Sequence, residues 1–141
     1  MTSIPFGPQL IGRTEKALNA LLDRELAGTG LSEPQWVALT LTVTADGPRE
    51  AELVARIAGA LRVGEAREHL AALAAAGMVV TADDLTVRPT ERGMALWTSV
   101  RAATGRIADA LWNDLPDADR EVAARVLNTV LTRAGAALEA V

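Results

Sequence analysis

The sequence contains no cysteine, no tyrosine and a single histidine, His69. Without cysteine, the chain has no disulfides, no thiolate-bound zinc or iron–sulfur cluster and no cysteine nucleophile. One histidine also excludes a multi-histidine metal site within the chain. We therefore expect no metal and no cofactor. The lack of disulfides and of a recognisable signal peptide predicts a cytoplasmic protein.

Aromatic residues are scarce: Phe6, Trp36, Trp97 and Trp112 are the only ones among 141 residues. Half of the residues are hydrophobic, so the apolar content is mainly Ala, Leu and Val, which favours packed helices over sheets. Charges interrupt every apolar run before the roughly 20 residues that a membrane span needs. The length suits one domain with its own core. We expect a single domain and no membrane partner.

Basic charge is also in slight deficit, with 14 Lys and Arg against 18 Asp and Glu and a formal net charge of −4. This balance counts against a protein that coats nucleic acid non-specifically. It does not exclude a site-specific DNA reader, which can concentrate its basic groups on one face.

Long amphipathic helices are predicted at both ends of the chain. Apolar residues recur at three- and four-residue spacing over residues 8–26, 90–113 and 118–138. A further helix begins after Ser32, which can cap its first turn, and Thr90 can cap the long helix in the same way. The surplus apolar faces of the terminal helices need a partner, and a symmetric dimer would bury them. Packing against the centre of the same chain is the alternative.

The centre of the chain has shorter elements. Two short helices are predicted over residues 51–58 and 63–76, with a break around residues 59–64, and Gly77 ends the second in a left-handed C-cap. Two β-prone segments then flank the turn Ala82-Asp83-Asp84 and predict a hairpin. Two helices joined by a tight turn and followed by a hairpin have the order of a winged helix-turn-helix.

Four strings in this order resemble the MarR-like family of winged helix-turn-helix transcription regulators. They are GLSEPQWVALTLTVTADGP (30–48), LVARIAGALRVGEAREHLAALAAAGMVV (53–80), PTERGMAL (89–96) and LPDADREVAARVL (115–127). Each string is weak alone, but their order and spacing extend the resemblance over nearly the whole chain.

The resemblance implies a mainly α fold: a winged helix-turn-helix with a short β-hairpin wing and long N- and C-terminal dimerisation helices. Residues 1–141 would form one MarR-like domain, with dimerisation helices in 1–30 and 90–141 and the winged helix-turn-helix lobe in 32–89. The implied function is a ligand-responsive transcription regulator that binds palindromic operator DNA as a homodimer. Its partners would be double-stranded DNA and a small aromatic or anionic effector.

The predicted recognition helix and hairpin carry the candidate DNA-binding residues. These are Arg62, Glu65, Arg67, Glu68, His69 and Arg88. Arginine can bond guanine through two donors and glutamate can accept from cytosine N4, so this face could read the major groove. The numbers of basic and acidic groups are equal between Leu53 and Arg92. The alternative to DNA binding is a solvent-exposed face with ion pairs, such as Glu65 with His69.

The predicted hairpin departs from the family pattern because it is short and has an acidic tip, Asp83 and Asp84. Two carboxylates facing phosphates oppose DNA binding. The alternative function is therefore a MarR-like protein with weakened DNA binding that acts as a small-molecule binding or sequestering protein. A second departure is a helix-turn-helix about two residues longer than usual around Gly59-Ala60, by comparison with the family pattern.

Trp36, Trp97 and Arg101 are the candidate ligand-binding residues. Trp97 and Arg101 are four residues apart on one side of the long helix and offer an aromatic plane beside a cation. With Trp36 nearby in the family-like fold, they could hold a planar anion between helices. Ordinary core or dimer packing of the tryptophans is the alternative.

No catalytic constellation is visible. The glycines are too scattered for a phosphate-binding loop, and no Ser-His-Asp triad can be assembled around His69. We expect a protein that is not an enzyme.

Overall fold

A computed structural model describes residues 3–61 and 65–140. The helices are α1 (Pro8–Leu26), α2 (Glu33–Thr44), α3 (Glu50–Leu61), α4 (Ala66–Ala75), α5 (Glu91–Ala108) and α6 (Asp117–Glu139), and the strands are β1 (Val79–Thr81) and β2 (Val87–Pro89). The mainly α fold with one short hairpin is confirmed.

The chain divides into two compact units, the first ending at Thr104 and the second beginning at Gly105. The first unit contains α1 to α4, the hairpin and most of α5. The second contains the end of α5, a π-helical turn over Asp109–Asn113, and α6. No helix in residues 3–61 and 65–140 combines the length and the apolarity that crossing a membrane requires.

A capping box formed by Ser32 and Gln35 explains where α2 begins. The Ser32 hydroxyl accepts a hydrogen bond from the Gln35 backbone N–H at 3.4 Å, and the Gln35 side chain accepts one from the Ser32 N–H at 3.0 Å. This reciprocal capping box satisfies two of the backbone donors that a helix start leaves unpaired. The predicted cap at Ser32 is confirmed.

The core of the first unit is built around α2, which packs against α3, α4 and β2. The largest fully buried side chains are Leu39, Leu53, Ile57, Leu73, Met78, Val87 and Thr42. Thr42 is the polar member, and its hydroxyl donates to the Ala38 carbonyl oxygen at 2.8 Å. Burying this polar group is therefore compensated within its own helix.

The predicted break between the two short helices begins too early. Instead of ending at residue 58, α3 continues through Gly59 to Leu61. Ile57 is fully buried, and Ala58 and Leu61 pack against the core. Burial of these side chains favours one more helical turn than the glycine alone suggests. Residues 62–64, the rest of the predicted break, lie outside the described residues.

The hairpin pairs Val80 with Arg88 and is anchored to the start of α3. The Glu50 N–H donates to the Leu85 carbonyl oxygen at 2.8 Å, and the Val87 N–H donates to the Pro48 carbonyl oxygen at 2.9 Å. The segment before α3 therefore supplies a third partner to the hairpin. Because these two hydrogen bonds hold the β2 side of the hairpin to the segment before α3, the hairpin is part of the lobe.

The start of α5 is packed directly on the segment that follows α4. Thr90 caps α5, since its hydroxyl accepts from the Gly93 N–H at 3.0 Å, and the same hydroxyl donates to the Gly77 carbonyl oxygen at 2.6 Å. The Thr90 N–H donates to the Met78 carbonyl oxygen at 3.0 Å. We call Gly77, Met78, Thr90 and Gly93 together the Gly93–Met78 junction. Gly77 has φ 76°, as its predicted left-handed C-cap requires,.

The long helix predicted over residues 90–113 is α-helical only to Ala108. It then continues as the π-helical turn Asp109–Asn113, across which the Asn113 amide donates to the Asp109 carboxylate at 2.5 Å. A π-helical turn pairs residues five apart, which an apolar spacing of three and four does not reveal.

Gly93→Ala is expected to lower the free energy of unfolding by about 1–3 kcal/mol, the usual effect of overpacking. A Cβ at residue 93 would lie 2.0 Å from the Met78 carbonyl oxygen, so the backbone must move. Gly105→Ala on the same helix is the control, because a Cβ there meets nothing within 4 Å. Alanine should stabilise that position by up to about 1 kcal/mol. Urea unfolding compares the two, and equal stability would contradict the expectation.

Candidate functional site

The two faces of α4 differ in the way a recognition helix requires. Ala66, Leu70 and Leu73 are buried in the core, as their spacing predicts. Arg67 and Glu68 are exposed on the other side of the helix. The helix therefore presents charged side chains to solvent from a fixed apolar base.

Charged residues around α4 pair with one another. His69 Nε2 lies 3.9 Å from a carboxylate oxygen of Glu65, the contact that the spacing of the two residues predicts. Arg67 Nη1 lies 3.8 Å from Glu50 Oε1, with 71% of the Arg67 side chain exposed. This second pair joins α4 to the start of α3. Arg62, also predicted to bind DNA, lies outside the described residues.

The acidic tip of the hairpin contains two carboxylates with different surroundings. Asp84 accepts hydrogen bonds from the Thr86 hydroxyl at 2.6 Å and from the Thr86 N–H at 3.1 Å. These bonds, the hydroxyl first, hold the pKa of the Asp84 carboxyl below its ordinary value,. Asp83 is exposed beside it, and Leu85 completes the turn with a positive φ of 65°. Asp84 thus organises the turn.

Arg88 lies on β2, three residues after Leu85, and is exposed. Its place on the hairpin, with Arg67 on α4, gives the lobe two exposed arginines on neighbouring elements. The structure therefore brings α4 and the Arg88 strand into one lobe.

The two tryptophans predicted to bind ligand contact each other. The rings of Trp36 and Trp97 stack with centroids 6.4 Å apart and planes inclined by 17°. Trp36 is 8% exposed, and the Trp97 indole N–H donates to the Thr40 hydroxyl at 3.1 Å. Arg101 is exposed on α5, one turn after Trp97. The predicted proximity of the tryptophans is confirmed, but each provides part of the other's packing.

A cleft that the sequence analysis missed lies beside α5. It measures about 430 Å³ and runs between the end of α1 with its following turn and one face of α5. We call it the α5 cleft. Its lining residues are Glu25, Gly28, Thr29, Arg92, Leu96, Ser99, Val100 and Ala103. The lining residues of α5 share one helical face, and their spacing of three and four is visible in the sequence. Glu25, Gly28 and Thr29 come much earlier in the chain, so the sequence does not reveal that they lie opposite α5.

The α5 cleft contains one cation and one anion above an apolar surface. Arg92 and Glu25 supply the charges, and Leu96, Val100 and Ala103 supply the apolar surface. Thr29 stabilises the turn, since its hydroxyl donates to the Leu26 carbonyl oxygen at 2.6 Å and accepts from the Leu31 N–H at 3.1 Å. Among the residues described, no cluster of His, Asp or Glu could hold a metal ion.

Thr86→Val is expected to raise the pKa of Asp84 toward its ordinary value of 3.8, because it removes the hydroxyl donor,. In the parent protein the low pKa means that these bonds stabilise the turn above pH 3.8 and are lost as pH falls through the lower folded value,. A carboxyl NMR titration measures the change. Thr81→Val, on the same hairpin, is the control, and an unchanged pKa for Asp84 in Thr86→Val would contradict the assignment.

No family model and no curated protein matches this sequence. Solved structures do match. CouR from Rhodococcus jostii RHA1, bound to p-coumaroyl-CoA, gives a TM-score of 0.72 at 19% identity, over 86% of this chain and 89% of that one. The transcriptional regulator PA3341 gives 0.70 at 23% identity, over 90% and 96%.

A third solved structure is the MarR family protein Rv2887 from Mycobacterium tuberculosis in complex with p-aminosalicylic acid. Its TM-score is 0.58 at 26% identity, over 90% of this chain and 98% of that one. The resemblance that the sequence predicted is thereby confirmed, and the chain has the winged helix-turn-helix fold of these MarR-like structures.

Proposed function

We propose that this protein is a ligand-responsive transcription regulator that binds palindromic operator DNA as a homodimer. The observation that carries the proposal is the pairing of an amphipathic α4 with an anchored hairpin, in a fold shared with MarR-family regulators. A helix fixed by its apolar face can enter the major groove with its opposite face. We propose no enzymatic role, and a cytoplasmic location follows from a DNA target.

The DNA-binding residues divide by their positions. Arg67, Glu68 and His69 on α4, with Arg62 and Glu65 before it, would contact base edges, since arginine reads guanine and glutamate reads cytosine. Arg88 on β2 would contact phosphate, which positions the lobe without reading sequence. Glu50 lies 3.8 Å from Arg67 and would compete with DNA for its guanidinium.

Exposed apolar side chains on α6 support the homodimer. Within the described residues, α6 contains no buried residue. Its exposed apolar side chains include Val122, Val126, Leu127, Val130, Leu131 and Leu138. A contiguous apolar face of this kind marks an interaction surface, and a twofold dimer buries it against its own copy.

The effector would act by population shift. An effector that prefers one spacing of the two recognition helices removes the match to half-sites one helical turn apart. CouR and Rv2887 hold p-coumaroyl-CoA and p-aminosalicylic acid, which supports a small aromatic or anionic effector here. A differential binding energy of about 1–3 kcal/mol is enough for a useful switch. Trp36, Trp97 and Arg101 remain the ligand-binding residues that the sequence predicts.

The second candidate function is a ligand-binding or sequestering protein with weakened DNA binding. Asp83 at the tip of the hairpin and the Glu50 carboxylate beside Arg67 favour it, since both add negative charge next to the DNA-facing arginines. The two functions differ in one property, a salt-dependent affinity for a particular duplex.

Selection from a random duplex DNA pool is the experiment that separates these functions. We expect enrichment of a palindrome whose affinity falls as salt rises, because phosphate contacts release counterions. Repeating the selection at two salt concentrations tests this dependence. Failure of a folded dimer to enrich any sequence would reject the regulator in favour of the sequestering protein.

Arg67→Ala and Arg88→Ala should weaken operator binding in different ways. Arg67→Ala is expected to lose about 1–3 kcal/mol on the selected operator and to relax specificity at one position. Arg88→Ala should weaken binding to all sequences alike and reduce the salt slope by about one. Fluorescence anisotropy on operator and scrambled duplexes measures both. Unchanged operator affinity in both variants would reject these site assignments.

Val130→Glu is expected to convert the dimer into monomers, because it places a charge in the proposed apolar interface. Thr129→Glu adds the same charge at the adjacent exposed position of α6 and serves as the control, which should remain dimeric. Sedimentation velocity reports the two states. A Val130→Glu variant that stays dimeric would exclude this part of α6 from the interface.

A further inference from the structure

We propose that Glu50 determines DNA specificity by suppressing the binding of Arg67 to DNA phosphates while leaving its contact with a guanine base intact. This inference rests on the proposed DNA-binding function and adds a residue outside the predicted DNA-binding set. Glu50 acts through Arg67, so it is a positioning residue and need not touch DNA. Its effect is on the ratio between operator affinity and non-specific affinity.

The backbone holds Glu50 where the hairpin meets α3. Glu50 is the first residue of α3, and its N–H donates to the Leu85 carbonyl oxygen at 2.8 Å. Its carboxylate Oε1 lies 3.8 Å from Arg67 Nη1 on α4. The Glu50 side chain is 36% exposed, about half as much as that of Arg67 at 71%. A carboxylate on an anchored residue is therefore kept beside a guanidinium that extends into solvent.

Non-specific DNA binding is the process that this carboxylate opposes. Such binding depends on phosphate contacts made by basic side chains. The Glu50 carboxylate offers Arg67 the kind of anion that it would otherwise find on DNA, and it repels a phosphate that approaches the same guanidinium. With only 14 Lys and Arg against 18 Asp and Glu, the chain has few cations to replace Arg67 in this role. The ion pair therefore weakens binding to every sequence in which Arg67 would contact phosphate.

A guanine base makes a different demand on Arg67. Its O6 and N7 are neutral acceptors that take two hydrogen bonds from one guanidinium. A guanidinium has five N–H donors, and the contact with Glu50 is made through Nη1,. Nε and Nη2 remain for the base, so Arg67 can donate to guanine while it stays beside Glu50. The ion pair thus weakens phosphate binding more than base reading, which raises specificity.

The test measures Glu50→Gln on the operator that the selection recovers and on a scrambled duplex of the same composition. Fluorescence anisotropy should show about threefold higher affinity for the scrambled duplex than in the parent protein, within the range of exposed ion pairs. The slope of log affinity against log salt on this duplex should become more negative by about one, as expected for one added phosphate contact. Operator affinity should rise much less, so the ratio of operator to scrambled affinity falls.

Glu52→Gln is the matched control. Glu52 is in the same first turn of α3, so its replacement changes the net charge and the interaction with the helix dipole in the same way,. It is exposed, and no ion pair involves it in the described part of the chain. Both duplexes should respond to Glu52→Gln by the same factor, which measures the general effect of one carboxylate near DNA.

A double-mutant cycle shows whether Glu50 acts through Arg67. In an Arg67→Gln background Glu50 has no guanidinium to hold. Glu50→Gln should then change the affinity for the scrambled duplex only as much as Glu52→Gln does. A purely structural role of Glu50 at the start of α3 would instead give the same change in both backgrounds. Circular dichroism confirms that each variant is folded.

Four outcomes would overturn the inference. They are no detectable binding of the scrambled duplex by Glu50→Gln at low salt, an unchanged salt slope, equal gains on both duplexes, and a gain that persists in the Arg67→Gln background. The selection itself fails or succeeds independently. If it enriches no duplex while Glu50→Gln still gains salt-dependent affinity for the scrambled duplex, the suppression of phosphate binding stands and the operator-binding function fails.

Discussion

The contact between Gly93 and the Met78 backbone fixes the arrangement of the lobe. No side chain separates the two segments at this point, since even a Cβ on residue 93 would lie 2.0 Å from the Met78 carbonyl oxygen. Thr90 reinforces the contact by capping α5 while donating to Gly77, the residue that ends α4. Because backbone packs on backbone, there is no flexible side chain to absorb a displacement. The C-terminal end of α4 and the N-terminal end of α5 are therefore held against each other without an intervening side chain.

This junction connects the helix that lines the α5 cleft to the end of α4. Arg92 precedes Gly93 by one residue, and the apolar surface of the α5 cleft begins one turn later at Leu96. On a neighbouring face of α5, Trp97 stacks on Trp36 of α2, which in turn packs against α4. A displacement at the start of α5 thus has two routes to α4, through the junction and through α2. Both routes consist of groups in direct contact, and such contacts couple sites in allosteric proteins.

Local chemistry explains which parts of this arrangement the sequence could predict. The caps at Ser32, Gly77 and Thr90 depend on residues within a few positions of each other, so spacing alone revealed them. The same is true of the buried face of α4. The helix break predicted at Gly59 was wrong because a glycine only permits a break. Packing of Leu61 against the core favours continuation of the helix. The α5 cleft was missed because Glu25 and Arg92 line the same cleft only after the chain has folded, and amphipathic spacing does not identify tertiary partners,.

Hydrogen bonds within its turn and to the start of α3 hold the short hairpin with its acidic tip in place. Asp84 is bound to Thr86 within the turn, and the turn is bound to the start of α3 through Glu50 and Leu85. Two backbone hydrogen bonds, from Glu50 to Leu85 and from Val87 to Pro48, therefore attach this hairpin to the start of α3. The carboxylate of Glu50 also contacts Arg67, so the same residue links hairpin, α3 and α4. In the proposed DNA complex, we therefore expect sequence reading to depend chiefly on α4, with Arg88 on the hairpin contributing position.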